Sequence, residues 1–240
     1  MKGLLMFLIS ATLSSGCTKK ENLYDNVNTV TFKPISTLKT YSYLALGDSY
    51  TIGEKVTTNG SFPYQLAQIL KTDSSAIQEP KIIAKTGWTS DELILAIKST
   101  ALNPKYDFVT LLIGVNNQYR NYDIETYRKE FKELLQTAIN HADGKPQRIF
   151  VLSIPDWGVT PFAKNNGKSA SQIAKEIDAF NLINKQESVL LKANYLDITP
   201  ISRTAVLNLN LIADDGLHPS AQMYALWVEK LVPMVKLALN

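Results

Sequence analysis

Apolar runs of strand length alternate along this chain with amphipathic stretches of helix length, and few folds accommodate that alternation. The runs fall at residues 43–46, 81–84, 108–113, 149–154 and 195–198. Between and after them, apolar residues recur at steps of three and four: Phe131, Leu134, Leu135 and Ala138, then Ile173, Ile177, Phe180 and Ile183. A last series, Tyr224, Trp227, Leu231, Val235 and Leu239, closes the chain, with Pro233 inside it predicting a kink or break. Continuous apolar strands alternating with helices predict a parallel sheet covered on both faces. No internal repeat or low-complexity segment interrupts the pattern. At 240 residues, one α/β domain is the natural content.

In such a sheet, functional loops gather at the carboxyl ends of the strands, so the strand ends are the candidate list. The first run empties into Gly47-Asp48-Ser49-Tyr50, and the second into Lys85-Thr86-Gly87-Trp88. The third ends on Gly114-Val115-Asn116-Asn117, the fourth on Pro155-Asp156-Trp157-Gly158. The loop after the fifth carries Asp214-Asp215-Gly216-Leu217-His218.

A serine displayed on a tight turn is a nucleophile only if a base stands beside it. The chain has two histidines, His141 and His218. His141 lies in a polar helix-to-strand connection and reads as a solvated loop residue. His218 follows Asp215 by three residues, so one short loop supplies both a base for Ser49 and a carboxylate to hold its tautomer. Asp214, four residues before His218, competes for that orienting role. Charge developing on a carbonyl oxygen requires donors fixed in advance. The Ser49 and Gly87 N–H groups and the Asn116 side-chain amide are the candidates. Trp88, Trp157 and Phe162 are candidate pocket walls, each equally readable as packing.

These blocks, in this order, resemble the SGNH or GDSL-type serine esterase family. Gly47-Asp48-Ser49-Tyr50 is similar to its first block, with Tyr50 where leucine is frequent. Gly87 stands as the second block's glycine, Gly114-Val115-Asn116-Asn117 as the third, and Asp215-Gly216-Leu217-His218 as the last. Asn117 stands where the family often has aspartate. The resemblance spans residues 41–240 and implies a single three-layer, flavodoxin-like domain with a five-stranded parallel sheet ordered 2-1-3-4-5. It also implies a metal-free mechanism without cofactor. Ser49 attacks a carboxylic ester, His218 and Asp215 complete the catalytic set, and Ser49, Gly87 and Asn116 form the oxyanion hole. The substrate would be an acetylated carbohydrate or a short-chain acyl or lipid ester. The alternative is a non-catalytic ligand-binding module on the same fold, which would have no need of Ser49, Asp215 and His218 together.

Other functions are disfavoured. A net charge of +3 and four scattered arginines argue against nucleic acid. Gly47 to Lys55 is a near miss for a phosphate loop, and no His/Cys cluster has zinc spacing. The N-terminus has a different logic. Lys2 precedes an apolar stretch over residues 4–13, followed by Ser14-Ser15-Gly16 and Cys17, the single cysteine. This is the layout of a secretory signal, and Leu13-Ser14-Ser15-Gly16-Cys17 resembles a bacterial lipobox with Ser14 in its usual aliphatic place. The expectation is a signal peptide over residues 1–16, a lipidated Cys17 with a polar tether to residue 40, and an exported lipoprotein held at a membrane of the cell envelope. Nothing in the sequence fixes the oligomeric state.

Overall fold

A computed structural model describes residues 38–72 and 74–240. The signal segment, Cys17 and the tether up to residue 37 lie outside the described residues. The strands are β1 (Lys39–Tyr41), β2 (Tyr43–Gly47), β3 (Ser75–Ile77), β4 (Lys81–Ala84), β5 (Phe108–Leu112), β6 (Ile149–Leu152) and β7 (Asn194–Leu196). The helices are α1 (Ser49–Ile52), α2 (Phe62–Ile69), α3 (Ser90–Ser99), α4 (Val115–Tyr119), α5 (Ile124–His141), α6 (Ala170–Leu190), α7 (Thr199–Arg203) and α8 (Ala221–Leu239).

The main sheet runs β4-β2-β5-β6-β7, every pairing parallel. Numbered among themselves, these five strands have the expected order 2-1-3-4-5. The order reverses direction after β4, and right-handed crossovers therefore place α2 on one face and α3, α5 and α6 on the other. The contacts agree, since α2 packs on α8 while α5 packs between α3 and α6. Strands β2, β5 and β6 are buried along their whole length, which is why they read as unbroken apolar runs. The helical periodicities mark the inward faces: Phe131, Leu134, Leu135 and Ala138 of α5 are fully buried, as are Tyr224, Trp227, Leu231 and Val235 of α8.

Four sequence expectations change. Lys39 and Thr40 belong to the folded unit and not to the tether, because β1 pairs with β3 in a separate two-stranded parallel sheet. Helix α8 runs through Pro233 without a break. Proline removes one backbone donor, and burial of Leu231 and Val235 on either side holds the helix together. His141 is the last residue of α5, half-buried with its ring edge-on to Tyr106 at 6.3 Å, and its carbonyl accepts the Tyr106 N–H. The fifth strand starts one residue early, at Asn194, whose amide is drawn in by the Gln147 and Ile149 carbonyls, and ends two residues early, at Leu196.

Candidate active site

The turn after β2 leaves no room for a side chain at Gly47. A Cβ there would meet Thr51 Oγ1 at 2.1 Å and the Leu112 carbonyl of β5 at 2.3 Å. The chain can therefore bend at once into α1, whose first residue is Ser49. Asp48 caps that helix, its Oδ1 accepting the Tyr50 N–H at 3.0 Å. At the first helical position the Ser49 N–H has no helical acceptor, and among the described residues it takes none elsewhere. The Ser49 hydroxyl is also without a hydrogen bond among the described residues.

Asp215 and His218 meet as their spacing suggests. Asp215 Oδ2 lies 2.5 Å from His218 Nδ1, and its Oδ1 accepts the N–H groups of Leu217 and His218, each at 3.0 Å. Burial works against the charged Asp215 carboxylate, but the hydrogen bonds from His218 and from the two backbone N–H groups outweigh it. Its carboxyl is held below the usual range. An ionised acceptor at Nδ1 fixes the proton there and leaves Nε2 as the basic nitrogen. Asp214 makes no such contact; it lies along a separate groove with Lys55 and Pro161. Tyr50 stands edge-on to His218, ring centroids 5.7 Å apart. Burial, and then the neighbouring Asp48 charge, push its phenol well above the ordinary range, so it stays neutral.

Gly87 is in the left-handed region at φ +85°, and its carbonyl is held by Arg120 Nη2 at 2.7 Å. Its N–H, like that of Ser49, has no acceptor among the described residues. Asn116 Nδ2 donates to the Trp88 carbonyl at 2.9 Å. An amide nitrogen has two hydrogens, so this bond orients the second one and leaves it free. Asn117 braces the same turn: its Oδ1 accepts the Ser90 N–H and its Nδ2 donates to Ser90 Oγ at 2.6 Å. The asparagine at that position is thus paired through both its oxygen and its nitrogen, and buried.

A cavity of about 190 Å³ joins these groups, bounded by Ser49, Gly87, Asn116 and His218 on its polar side. Tyr50, Val115, Tyr119, Trp157, Phe162 and Leu217 make its apolar wall. Trp157 and Phe162 are therefore wall residues. Trp88 is not: its side chain packs half-buried against the core, and its carbonyl is what serves the site, through Asn116. Sequence reading missed Tyr119. The signal was its place three residues after Asn116 in one short helix, which puts both on one face.

Comparisons with known proteins agree with this architecture. A sequence model of the family described as GDSL-like lipase/acylhydrolase matches residues 45–226. Among solved structures, TesA is similar with a TM-score of 0.63 at 17% identity, over 82% of this chain and 99% of its own. The psychrotrophic esterase EstA from Pseudoalteromonas sp., inhibited by monoethylphosphonate, aligns with a TM-score of 0.63 at 16% identity, covering 83% and 99%. Axe2, an acetylxylan esterase from Geobacillus stearothermophilus, gives 0.63 at 15% identity, covering 83% and 96%. No curated protein matches.

One feature of the turn has a measurable cost. Asp48 is fully buried and its Oδ2 has no partner among the described residues. Desolvation pushes its carboxyl up to about 7, against the pull of the Tyr50 N–H. A folded-state pKa above the unfolded one means that stability declines as pH rises from about 4 to about 7 and then levels off. Asp48→Asn keeps the cap and removes the charge. Its stability relative to wild type should therefore rise between pH 4.5 and pH 8, by roughly 3 kcal/mol at about 1.4 kcal/mol per pH unit. Urea unfolding at the two pH values measures this, and a pH-independent difference would contradict it.

Proposed function

The chain belongs to the GDSL-like lipase/acylhydrolase family, and from that premise we propose that it cleaves carboxylic esters through an acyl-Ser49 intermediate. The observation that carries the proposal is the convergence on one cavity of Ser49, His218 backed by Asp215, and three donors not otherwise committed.

Ser49 Oγ attacks the ester carbonyl carbon while His218 Nε2 takes its proton. Asp215 steadies the imidazolium through Nδ1–H without itself becoming protonated. The carbonyl oxygen becomes an oxyanion, received by the N–H groups of Ser49 and Gly87 and the free Asn116 amide hydrogen. Collapse of the tetrahedral adduct breaks the bond to the alcohol, which leaves with the proton from His218. Water then attacks the acyl-Ser49 carbonyl, giving a proton to His218. The second collapse releases the acid and returns that proton to Ser49.

The substrate we propose is an acetylated carbohydrate or another short-chain acyl ester. The apolar wall suits an acyl group, and a cavity of about 190 Å³ is small beside the roughly 300–1,000 Å³ of sites for drug-sized ligands. Two structural neighbours support the reading by their own descriptions. One is an acetylxylan esterase, and the other is inhibited by a phosphonate, a tetrahedral mimic of the addition intermediate. We further propose that Cys17 is lipidated after removal of residues 1–16 and tethers the domain in the cell envelope. Cys17→Ala should then move the protein from the membrane to the soluble fraction of a bacterial expression host. Continued membrane partitioning would oppose the anchor.

Turnover of p-nitrophenyl acetate tests the mechanism. Ser49→Ala should abolish turnover in a protein that still folds. Asp215→Asn should lower kcat by about 10⁴-fold, whereas Asp214→Asn should stay within about twofold of wild type, since it alters no contact of the reacting groups. Equal losses from the two aspartate variants would contradict the assignment.

A further inference from the structure

The closed end of the cavity is held from behind by a relay of hydrogen bonds that the mechanism does not use. Tyr119 and Phe162 lie at the rim, 42% and 39% exposed, whereas Trp157, the buried member of the three at 2% exposed, forms the floor. Its indole meets both rings edge-on, with centroids 5.5 Å and 6.1 Å away. Packing of that kind tolerates more than one ring orientation; the polar edge does not. Indole Nε1 donates to Gln118 Oε1 at 2.8 Å. Gln118 is itself 1% exposed, and its Nε2 donates to Glu176 Oε2 at 2.6 Å.

The relay continues to the surface. Glu176 accepts from Lys168 Nζ at 2.8 Å and Gln172 Nε2 at 2.9 Å, and Lys168 also donates to Asn121 Oδ1 at 2.6 Å. Burial opposes the Glu176 charge, but these hydrogen bonds prevail and hold its carboxyl below the usual range. A charged acceptor at one end and an N–H donor at the other determine which way the Gln118 amide faces. Reversing it would set donor against donor at Trp157 and acceptor against acceptor at Glu176. Turning the indole away would strand a buried N–H, which disfavours that orientation by about tenfold. The floor of the cavity is therefore fixed through a residue that never touches substrate.

We propose that Gln118 is a specificity-determining positioning residue: by locking Trp157 across the cavity floor it restricts the acyl half of the substrate to short chains. The proposal rests on the ester-hydrolase reading above.

The experiment compares kcat/KM for p-nitrophenyl acetate, butyrate and octanoate in wild type and Gln118→Leu. Leucine preserves bulk and leaves Glu176 paired with Lys168 and Gln172, but releases the indole. The octanoate-to-acetate ratio should rise by about tenfold. Should Gln118→Leu fail to fold, Glu176→Ala removes the next link nearer the surface, and a smaller rise in the same ratio is expected. An unchanged ratio in the folded variants, or a proportionate fall for all three esters, would overturn the proposal. The two readings fail separately. Wild-type turnover of acetate with no shift in ratio overturns the role of Gln118 alone, whereas a wild type that turns over no ester overturns both.

Discussion

Everything at the site depends on a contact that has no room for a β-carbon. Where β2 ends, the backbone of Gly47 lies against Thr51 and the Leu112 carbonyl of the neighbouring strand. Only glycine lets the sheet edge close there, and closing it turns the chain straight into α1 with Ser49 at the first helical position. The same bend leaves the Ser49 N–H without a helical acceptor and buries Asp48 as the cap. The placement of Ser49, its unpaired N–H and an energetically costly carboxylate are thus consequences of one close approach, which stability alone would not select.

Around that turn, the other strand ends are tied to one another. Asn116 from the end of β5 is aimed by the carbonyl of Trp88 from the end of β4. Asn117 grips Ser90, and Ser90 Oγ donates to Glu130 of α5. The Phe162 N–H donates to the Gly216 carbonyl at 2.9 Å, fastening the loop after β6 to the loop that bears His218. In the proposed mechanism the donors must receive a developing charge, for which they are most effective when they need not reorganise, and cross-ties of backbone groups and amides favour that.

The sequence disclosed the buried strands and the candidate residues at their ends because both follow short-range rules, while the strand order came from the family resemblance. Buried parallel strands such as β5 are apolar throughout, and chemistry at strand ends shows itself as small and polar residues breaking the run. The misses have physical causes as well. β1 and β3 are three-residue strands outside the main sheet, too short for any periodicity. Trp88 was indistinguishable from Trp157 by type and position, since which indole faces the cavity depends on turn geometry at Gly87. Gln118 gave no signal because its importance lies in partners 39 and 58 positions along the chain. Polar residues buried by long-range pairing look like surface residues in a sequence.

Activation of Ser49 by His218 in the folded protein is what the proposed chemistry stands on. Treating the enzyme with a fluorophosphonate and locating the adduct by intact mass and peptide mapping tests it whatever the natural ester is. A single adduct on Ser49, abolished by His218→Ala, is the expected result. Well-folded protein that acquires no adduct, or one labelled equally without His218, would contradict it.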